Sequence, residues 1–431
     1  MKPRYWVIPA AIIAITALLM NFSAKASYSL RGAILASEQG EKPVPLFKIR
    51  AITAFVSIDP GQVEEAVSGT VQFLERARDR FQAAGFEVQT IRLATQPFPD
   101  YTKNMSHRAA LELIQKLDRL AVQHHLDLSI GPGILEDRDD PEVVALITDI
   151  LSHTKTTNAS VTVATPERGV QPKAVRAAAQ IMKSLSTASK GGIGNFSFAA
   201  AANCPAGIPF FPTAYHRGTQ KQFALAIQSA SLVQEAFAHS LTPAEARANL
   251  KKIYETQLHP VEAIAQGLSE ETRWNYEGMD VSTAPLKDVS IGAAIEALSG
   301  VPFGDHGTLT VAAMITDVLK SLNLRRTGYS GLMIPVMEDA TIARRAAEGR
   351  LSLDKLLLFS SVCATGIDVA PIPGDTPSNE IERVILDVAS QSTKLKKPLA
   401  VRLLVVPGKQ QGAMTDFEDP FLVNTKVMSV K

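Results

Sequence analysis

IRAITAFV at residues 49–56 is apolar and rich in β-branched side chains, which is typical of a buried β-strand. Apolar residues then recur at spacings of three and four from Val63 to Phe81, so they form one stripe of an amphipathic helix. Gly85 is suited to end that helix, and FEVQTIRL at 86–93 alternates as a strand does. The order strand, helix, strand predicts two parallel strands joined by a crossover helix.

The same alternation continues to the end of the chain. Further strands are predicted at 126–130, 159–163, near 196, at 331–337, 356–362 and 400–406. Helices are predicted at 106–124, 141–153, from 172, and at 221–239, 243–266, 308–322, 341–348 and 381–394. The pattern predicts an α/β fold with a largely parallel sheet. The number of repeated units favours a closed α/β barrel over an open sheet, although counting units does not establish closure.

The first residues differ from the rest of the chain. Lys2 and Arg4 precede an apolar run at 6–20, and the small-residue pattern AKA follows at 24–26. This order is typical of a secretory signal peptide, and an uncleaved membrane anchor is the alternative. Both place the main domain outside the cytoplasm, as a periplasmic, secreted or membrane-anchored protein. The predicted organisation is a leader at 1–26, a linker at 27–47 and one α/β domain at 48–431.

The composition limits the kinds of partner. Lys and Arg number 44 and Asp and Glu number 43, so the net charge of +1 offers no basic face for nucleic acid. Hydrophobic residues make up 46% of the chain, which supports a large core. The two cysteines, Cys204 and Cys363, cannot staple a domain of this size, so stability must come from burial. The expected partner is a small molecule, contact with a membrane is expected only through the leader, and assembly into a homo-oligomer is left open.

Four acidic residues follow two of the predicted strands. Glu338 and Asp339 come after 331–337, whereas Asp368 and Asp375 come after 356–362. Sites in parallel α/β proteins lie at the carboxyl ends of strands, so these carboxylates are expected at one end of the sheet. We predict Glu338 and Asp368 as a catalytic acid–base pair. Asp339 and Asp375 are predicted ligands of a divalent metal such as Mg²⁺ or Ca²⁺, and capping of helices and turns is the alternative.

Two further residues are candidates for catalysis. His216 closes a proline-rich connection and has the side chain of a general base that works near neutral pH. Helix capping is the alternative role. Cys363 is a candidate nucleophile with His216 or His306 as its base, and inert packing is the alternative. No HExxH or CxxC pattern is present, which argues against a standard zinc site.

A glycine-rich turn precedes the helix predicted at 308–322. Gly304, His306 and Thr308 surround this helix start, where free backbone N–H groups can bind a phosphate or a carboxylate. Ordinary capping by Thr308 is the alternative. Tyr329 and Ser330 precede the strand predicted at 331–337, and we include them among the ligand-binding residues.

Several segments together resemble a known family of uncharacterised proteins, called DUF711 or UPF0210. They are RAIT at 50–53, QTIRLAT at 89–95, IPFFPTAYH at 208–216, GYSGLMIPVMED at 328–339, CATGID at 363–368, PGK at 407–409 and FLVNTKV at 421–427. The resemblance covers nearly everything from Lys48 to Val427. Members of the family usually begin at the first strand, so the leader is a departure.

The resemblance implies a fold and supplies no reaction. The family is similar in architecture to the ten-stranded α/β barrel of glycyl radical enzymes such as pyruvate formate-lyase. Those enzymes need a glycine in a short Arg-Val-x-Gly-Tyr-like segment near the C-terminus, and no such segment is present here. Radical chemistry is therefore not expected, since a shared fold does not determine function.

Two functional hypotheses remain open from the sequence. The first is an exported enzyme that acts on a small polar or anionic metabolite at the barrel mouth, with or without a divalent metal. The alternative is a non-catalytic extracytoplasmic protein that binds a small solute. The first is favoured by the polar residues at successive strand ends. The second is favoured by the leader together with the absence of a complete catalytic motif.

Overall fold

The structure is a computed structural model that describes residues 45–430. Its strands are β1 (Lys48–Val56), β2 (Val88–Thr95), β3 (Leu126–Pro132), β4 (Thr157–Thr165), β5 (Gly169–Val170), β6 (Phe198–Ala202), β7 (Gln222–Gln228), β8 (Asn275–Asp280), β9 (Gly366–Pro373) and β10 (Leu399–Val406). Its α-helices are α1 (Val63–Ala83), α2 (Phe98–Thr102), α3 (His107–Gln123), α4 (Pro141–His153), α5 (Pro172–Ala188), α6 (Ala230–Ala238), α7 (Pro243–Thr272), α8 (Ile291–Ser299), α9 (Thr308–Lys320), α10 (Ala340–Ala347), α11 (Leu353–Phe359) and α12 (Ser378–Leu395). The predicted leader and most of the predicted linker lie outside the described residues.

The strands form one mixed sheet. Their order across the sheet is β8-β7-β1-β2-β3-β4-β6-β10-β9, and the short β5 pairs with β4. Along this order, neighbours are parallel except for β1 with β7 and β6 with β10. The predicted α/β class and largely parallel sheet are confirmed.

The two edge strands, β8 and β9, do not pair with each other within residues 45–430. An irregular segment at 325–337 makes isolated bridges to both edges, one between Met279 and Arg326 and one between Pro335 and Asp368.

Burial on both faces explains why the strands read as continuous apolar runs. All eight residues of β10 are buried, and its central Arg402 is only 8% exposed. Arg92 in β2 is equally buried, and Arg50 in β1 is half-buried. A buried guanidinium is costly unless nearby groups compensate its charge. The positions of these arginines therefore indicate a part of the sheet with a role beyond packing of the core.

Three predicted elements are wrong. The helix predicted at 221–239 is strand β7 followed by α6, and the alternation Phe223, Leu225, Ile227 with alanines between is in fact a strand pattern. The strand predicted at 356–362 lies at helix α11 and its C-terminal turn, and Ser352 caps that helix by accepting the Lys355 N–H. The strand predicted at 331–337 belongs to the irregular segment at 325–337.

Within the described part of the chain, no helix combines the length and the apolar character that crossing a bilayer requires.

Candidate functional site

One cavity of about 560 Å³ receives an arginine from each of three strands. Arg50 comes from β1, Arg92 from β2 and Arg402 from β10, and we call this space the arginine cavity. Five strand spacings separate β1 from β10, which is about 24 Å in a flat sheet. The sheet must therefore curve strongly for both strands to line one space. The carboxylic acids on the wall are Asp127, Glu338, Asp368 and Asp419.

Each of the three guanidinium groups lies over a phenylalanine ring. The distance from the guanidinium carbon to the ring centroid is 5.1 Å for Arg50 on Phe421 and 4.9 Å for Arg92 on Phe211. It is also 4.9 Å for Arg402 on the ring of Phe196. Cation–π contacts of this kind hold a planar guanidinium in place and exclude water from one of its faces. The arrangement is that of three fixed, partly desolvated guanidinium groups.

Arg402 bridges two acids. Its Nε donates to the Asp368 Oδ1 at 2.7 Å and its Nη2 donates to the Glu338 Oε2 at 3.2 Å. All three side chains are at least four-fifths buried. Burial raises the pKa of Glu338, and the positive charge of Arg402 opposes that rise. A buried carboxyl group with a raised pKa is a candidate for accepting or releasing a proton during catalysis.

The other two arginines differ in their ionic partners. Arg92 lies 3.4 Å from the Asp127 carboxylate and donates from Nε to the Thr90 hydroxyl at 3.0 Å. Burial lowers the pKa of Arg92 to about 10. Arg50 has no carboxylate within 4 Å among the described residues, and its one side-chain hydrogen bond reaches Gln89 at 3.4 Å. Burial lowers the pKa of Arg50 as well.

Of the residues predicted from the sequence, Glu338, Asp368 and Tyr329 lie together on the wall of the arginine cavity. The Tyr329 hydroxyl shares a hydrogen bond of 2.8 Å with the Thr213 hydroxyl. Asp368 lies within β9 and not in a loop after a strand as predicted.

Sequence reasoning did not select the three arginines or Asp127. The available signal was a single arginine inside each of three apolar runs, IRAITAFV, QTIRLAT and AVRLLVV.

Comparison with known proteins gives a consistent family assignment. The family model described as uncharacterised ACR (DUF711) matches residues 44–418. The chain belongs to the DUF711 family. UPF0210 proteins from Pyrobaculum islandicum and Desulforudis audaxviator are 31% and 30% identical, over 85% and 89% of this chain and 87% and 90% of their own lengths. A UPF0210 protein from Methanocaldococcus jannaschii is 27% identical over 83% of this chain and 82% of its own.

Asp280 organises the turn that carries Tyr329 in this DUF711 protein. Its buried carboxylate accepts the backbone N–H groups of Tyr329 at 2.7 Å, Ser330 at 2.9 Å and Ser282 at 3.0 Å. A side chain at Gly328, which has φ +66°, would collide with this carboxylate. Ser330 itself is buried, and its hydroxyl donates to the Thr327 carbonyl and does not reach the cavity wall. Ser330 thus holds the turn, and a ligand contact by it stays a prediction.

Replacing Asp280 with asparagine is expected to remove one pH dependence of stability. Burial raises the pKa of Asp280 from 3.8 to about 6. The stability gained by the protonated form is full below the unfolded pKa and is lost as pH rises through the folded value. Relative to the asparagine variant, the wild-type free energy of unfolding should therefore fall by about 2 kcal/mol between pH 4 and pH 7. Urea denaturation of both chains across that range measures this difference, and parallel pH profiles would contradict it.

The structure does not bring the two predicted metal ligands together. Asp339 is fully buried away from the cavity, and its carboxylate accepts five hydrogen bonds at the starts of α8 and α10. Asp375 is exposed and accepts a hydrogen bond from Gln410 at 2.8 Å. Among residues 45–430, no group of three or more His, Cys, Asp or Glu side chains has a geometry that could hold a metal. Asp339 therefore serves as a helix cap, which was the alternative role.

His216 and Cys363 do not line the arginine cavity. His216 is buried in the proline-rich loop, and neither ring nitrogen makes a hydrogen bond of ordinary geometry within the described residues. Burial lowers the pKa of His216, which favours the neutral form of its imidazole. Cys363 is 1% exposed, and its sulfur lies 3.9 Å from the Gly366 carbonyl oxygen. These positions fit packing roles better than joint catalysis with Glu338.

The turn before α9 also lies off the cavity wall. The Gly304 N–H donates to the Thr308 hydroxyl at 3.1 Å, and the Gly304 carbonyl accepts from Lys355 at 2.9 Å. His306 is exposed. The Gly304 N–H that was expected to contact an anion is thus satisfied within the chain, and anion binding at this helix start stays a prediction.

Proposed function

We propose that this DUF711 protein is an enzyme that binds a small anionic metabolite in the arginine cavity and transfers a proton through Glu338. The observation that supports this most directly is the convergence of three phenylalanine-backed arginines on one cavity beside a buried acid. Arginine is suited to planar anions because its guanidinium offers several N–H donors in a fixed plane. Perturbed acids in clefts lined by such groups are characteristic of active sites.

The wall residues divide the work between binding and proton transfer. Arg402 is occupied by Asp368 and Glu338, so its role is to position Glu338. Arg50 and Arg92 attract the ligand anion. Glu338 exchanges a proton with the ligand, and the Tyr329 hydroxyl on the same wall supplies a hydrogen bond to it. Isomerisation, dehydration and addition of water each include a proton transfer of this kind.

We further propose that the sheet closes into a barrel around this cavity. The irregular segment at 325–337 hydrogen bonds to both edge strands: the Met279 N–H donates to the Arg325 carbonyl at 2.8 Å, and the Val336 N–H donates to the Asp368 carbonyl at 2.9 Å. The shared wall formed by β1 and β10 supports the same closure. The site would then lie within the kind of barrel that the family resemblance implies.

Location outside the cytoplasm is part of the proposal and follows from the predicted leader alone. Amino-terminal sequencing of the protein isolated from its source tests it. A mature chain that begins at Ser27 supports export with cleavage, whereas an intact leader favours the membrane anchor.

Small anions are expected to raise the melting temperature of the full chain, and neutral analogues of the same size are not. Ligand at ~100 times its Kd adds about 2.7 kcal/mol to the free energy of unfolding. A thermal-shift screen of carboxylates and phosphate monoesters against the matching amides and alcohols measures this difference. Equal shifts for charged and neutral compounds would contradict the proposal. Repeating the screen with EDTA, Mg²⁺ or Ca²⁺ tests metal assistance.

Turnover separates the enzyme from the binding protein. Each stabilising compound is incubated with the protein in D₂O and followed by NMR. Deuterium incorporation or a new product supports the enzyme. Recovery of chemically unchanged ligand from a tight complex favours the non-catalytic alternative.

A further inference from the structure

We infer that Arg50 is the anchor for the ligand and that the group it holds is a carboxylate. This inference rests on the proposed function, because it assigns the ligand class and the contact residue within the same cavity.

Ionic pairing distinguishes Arg50 from the other two arginines. Arg402 is held by two carboxylates and Arg92 lies beside Asp127, so an incoming anion would have to compete with existing partners. Arg50 has a single hydrogen bond of 3.4 Å from its side chain and no carboxylate within 4 Å among the described residues. A partly desolvated guanidinium without an ionic partner gains most from a ligand anion.

Access also favours Arg50. It is half-buried, whereas Arg92 and Arg402 are each 8% exposed. The ring beneath it belongs to Phe421, which is 36% exposed and comes from the C-terminal segment. Of the three arginines of the cavity, Arg50 is therefore the one most exposed to solvent. The neighbouring strand keeps the backbone in place, because the Thr90 hydroxyl donates to the Arg50 carbonyl at 2.8 Å.

Charge balance indicates a group with one negative charge. Three guanidinium groups face three of the carboxyl groups on the wall, and Glu338 is the acid whose ionised form burial disfavours. Arg402 pairs with Glu338 and Asp368 and Arg92 pairs with Asp127, so Arg50 is the one guanidinium of the wall without an ionic partner among the described residues. Among the remaining charged residues of the wall, Lys155 and Asp419 have opposite signs, and Lys190 pairs with Glu418. A carboxylate neutralises this site, whereas a doubly charged phosphate monoester would exceed it.

The test compares Arg50→Gln with wild type by isothermal titration calorimetry. The probes are propionate, lactate and benzoate, with inorganic phosphate and glycerol 3-phosphate as the doubly charged set and propionamide as the neutral control. We expect carboxylates to bind wild type more tightly than the other probes. We expect Arg50→Gln to weaken that binding about 10- to 100-fold, as the loss of a charged hydrogen bond does.

Lys48→Gln is the matched control. Lys48 lies on the same strand two residues away, but it pairs with Glu87 at the surface and does not line the cavity. It should bind carboxylates as wild type does. Arg50→Lys keeps the positive charge and should retain part of the affinity for carboxylates. Weaker binding in the glutamine variant than in the lysine variant would then reflect the lost charge and not a folding defect.

The outcomes separate the inference from the proposed function. If wild type binds carboxylates and Arg50→Gln binds them equally well, the anchor assignment is overturned and the proposed function stands. Tighter binding of the phosphates, dependent on Arg50, overturns the carboxylate class alone. If wild type binds no anionic probe, the proposed function fails, and the inference fails with it.

Discussion

Replacing Asp339 with alanine is expected to lower the free energy of unfolding by about 3 to 5 kcal/mol. The buried carboxylate accepts five hydrogen bonds, and its removal leaves these donors unsatisfied in a dry environment. Asp339 is the N-cap of α10, and it also accepts two backbone N–H groups at the start of α8. The donors are the Ser290 hydroxyl at 2.6 Å and the N–H groups of Ile291, Gly292, Thr341 and Ile342 at 2.7 to 3.2 Å.

Chemical denaturation of the full chain measures this loss, and Asp140→Ala provides the control. Asp140 caps α4 by accepting the Val143 N–H at 3.1 Å in a more exposed setting, so its loss should cost only about 1 kcal/mol. Equal costs at the two positions would show that Asp339 does no more than an ordinary cap. A defect of Asp339→Ala that appears only in the presence of Mg²⁺ would instead support the metal role predicted from the sequence.

The sequence predicted the first half of the fold better than the second. Strands β1 to β4 are apolar runs bounded by turn residues and separated by periodic helices, so local patterns are enough to place them. The segment 331–337 is equally apolar, yet it forms an isolated bridge to β9, between Pro335 and Asp368, instead of a strand. No local pattern encodes that contact. In the same way, the apolar run at 356–362 has no periodicity that separates a helix from a strand.

Only some residues of the candidate site were predicted from the sequence. Glu338 was found because an acid at the carboxyl end of a predicted strand is a general signal of α/β sites. The same rule selected Asp339, whose burial at two helix starts depends on tertiary packing. It overlooked Arg92 and Arg402, because residues inside strands were treated as packing. A lone arginine in a strand that is buried on both faces is better interpreted as a candidate site residue, since its charge requires compensation.

Replacing Glu338 with glutamine is expected to lower turnover about 10²- to 10⁴-fold and to change ligand affinity only a few-fold. Glutamine keeps the shape of the side chain, and its amide oxygen can still accept from the Arg402 Nη2. The glutamine side chain cannot exchange a proton as a carboxyl group does. The substitution therefore abolishes proton transfer at this position and keeps the shape of the cavity wall. Deuterium incorporation from D₂O into a carboxylate that wild type binds measures turnover, and calorimetry measures affinity.

Asp127→Asn is the matched control variant. Asp127 is another carboxylate of the cavity and lies beside Arg92, and the proposal assigns it no part in proton transfer. Its effect on turnover should be far smaller than that of Glu338→Gln.

The charged groups that act on Glu338 are Arg402, Asp368, Arg50 and Arg92. A bound carboxylate adds a negative charge among them, which raises the pKa of Glu338 further. If Glu338 is the base, the turnover rate increases as pH rises through that pKa, and if it is the acid, the rate decreases. Full turnover in Glu338→Gln would assign the proton transfer to another group and leave the arginine cavity as a binding site alone.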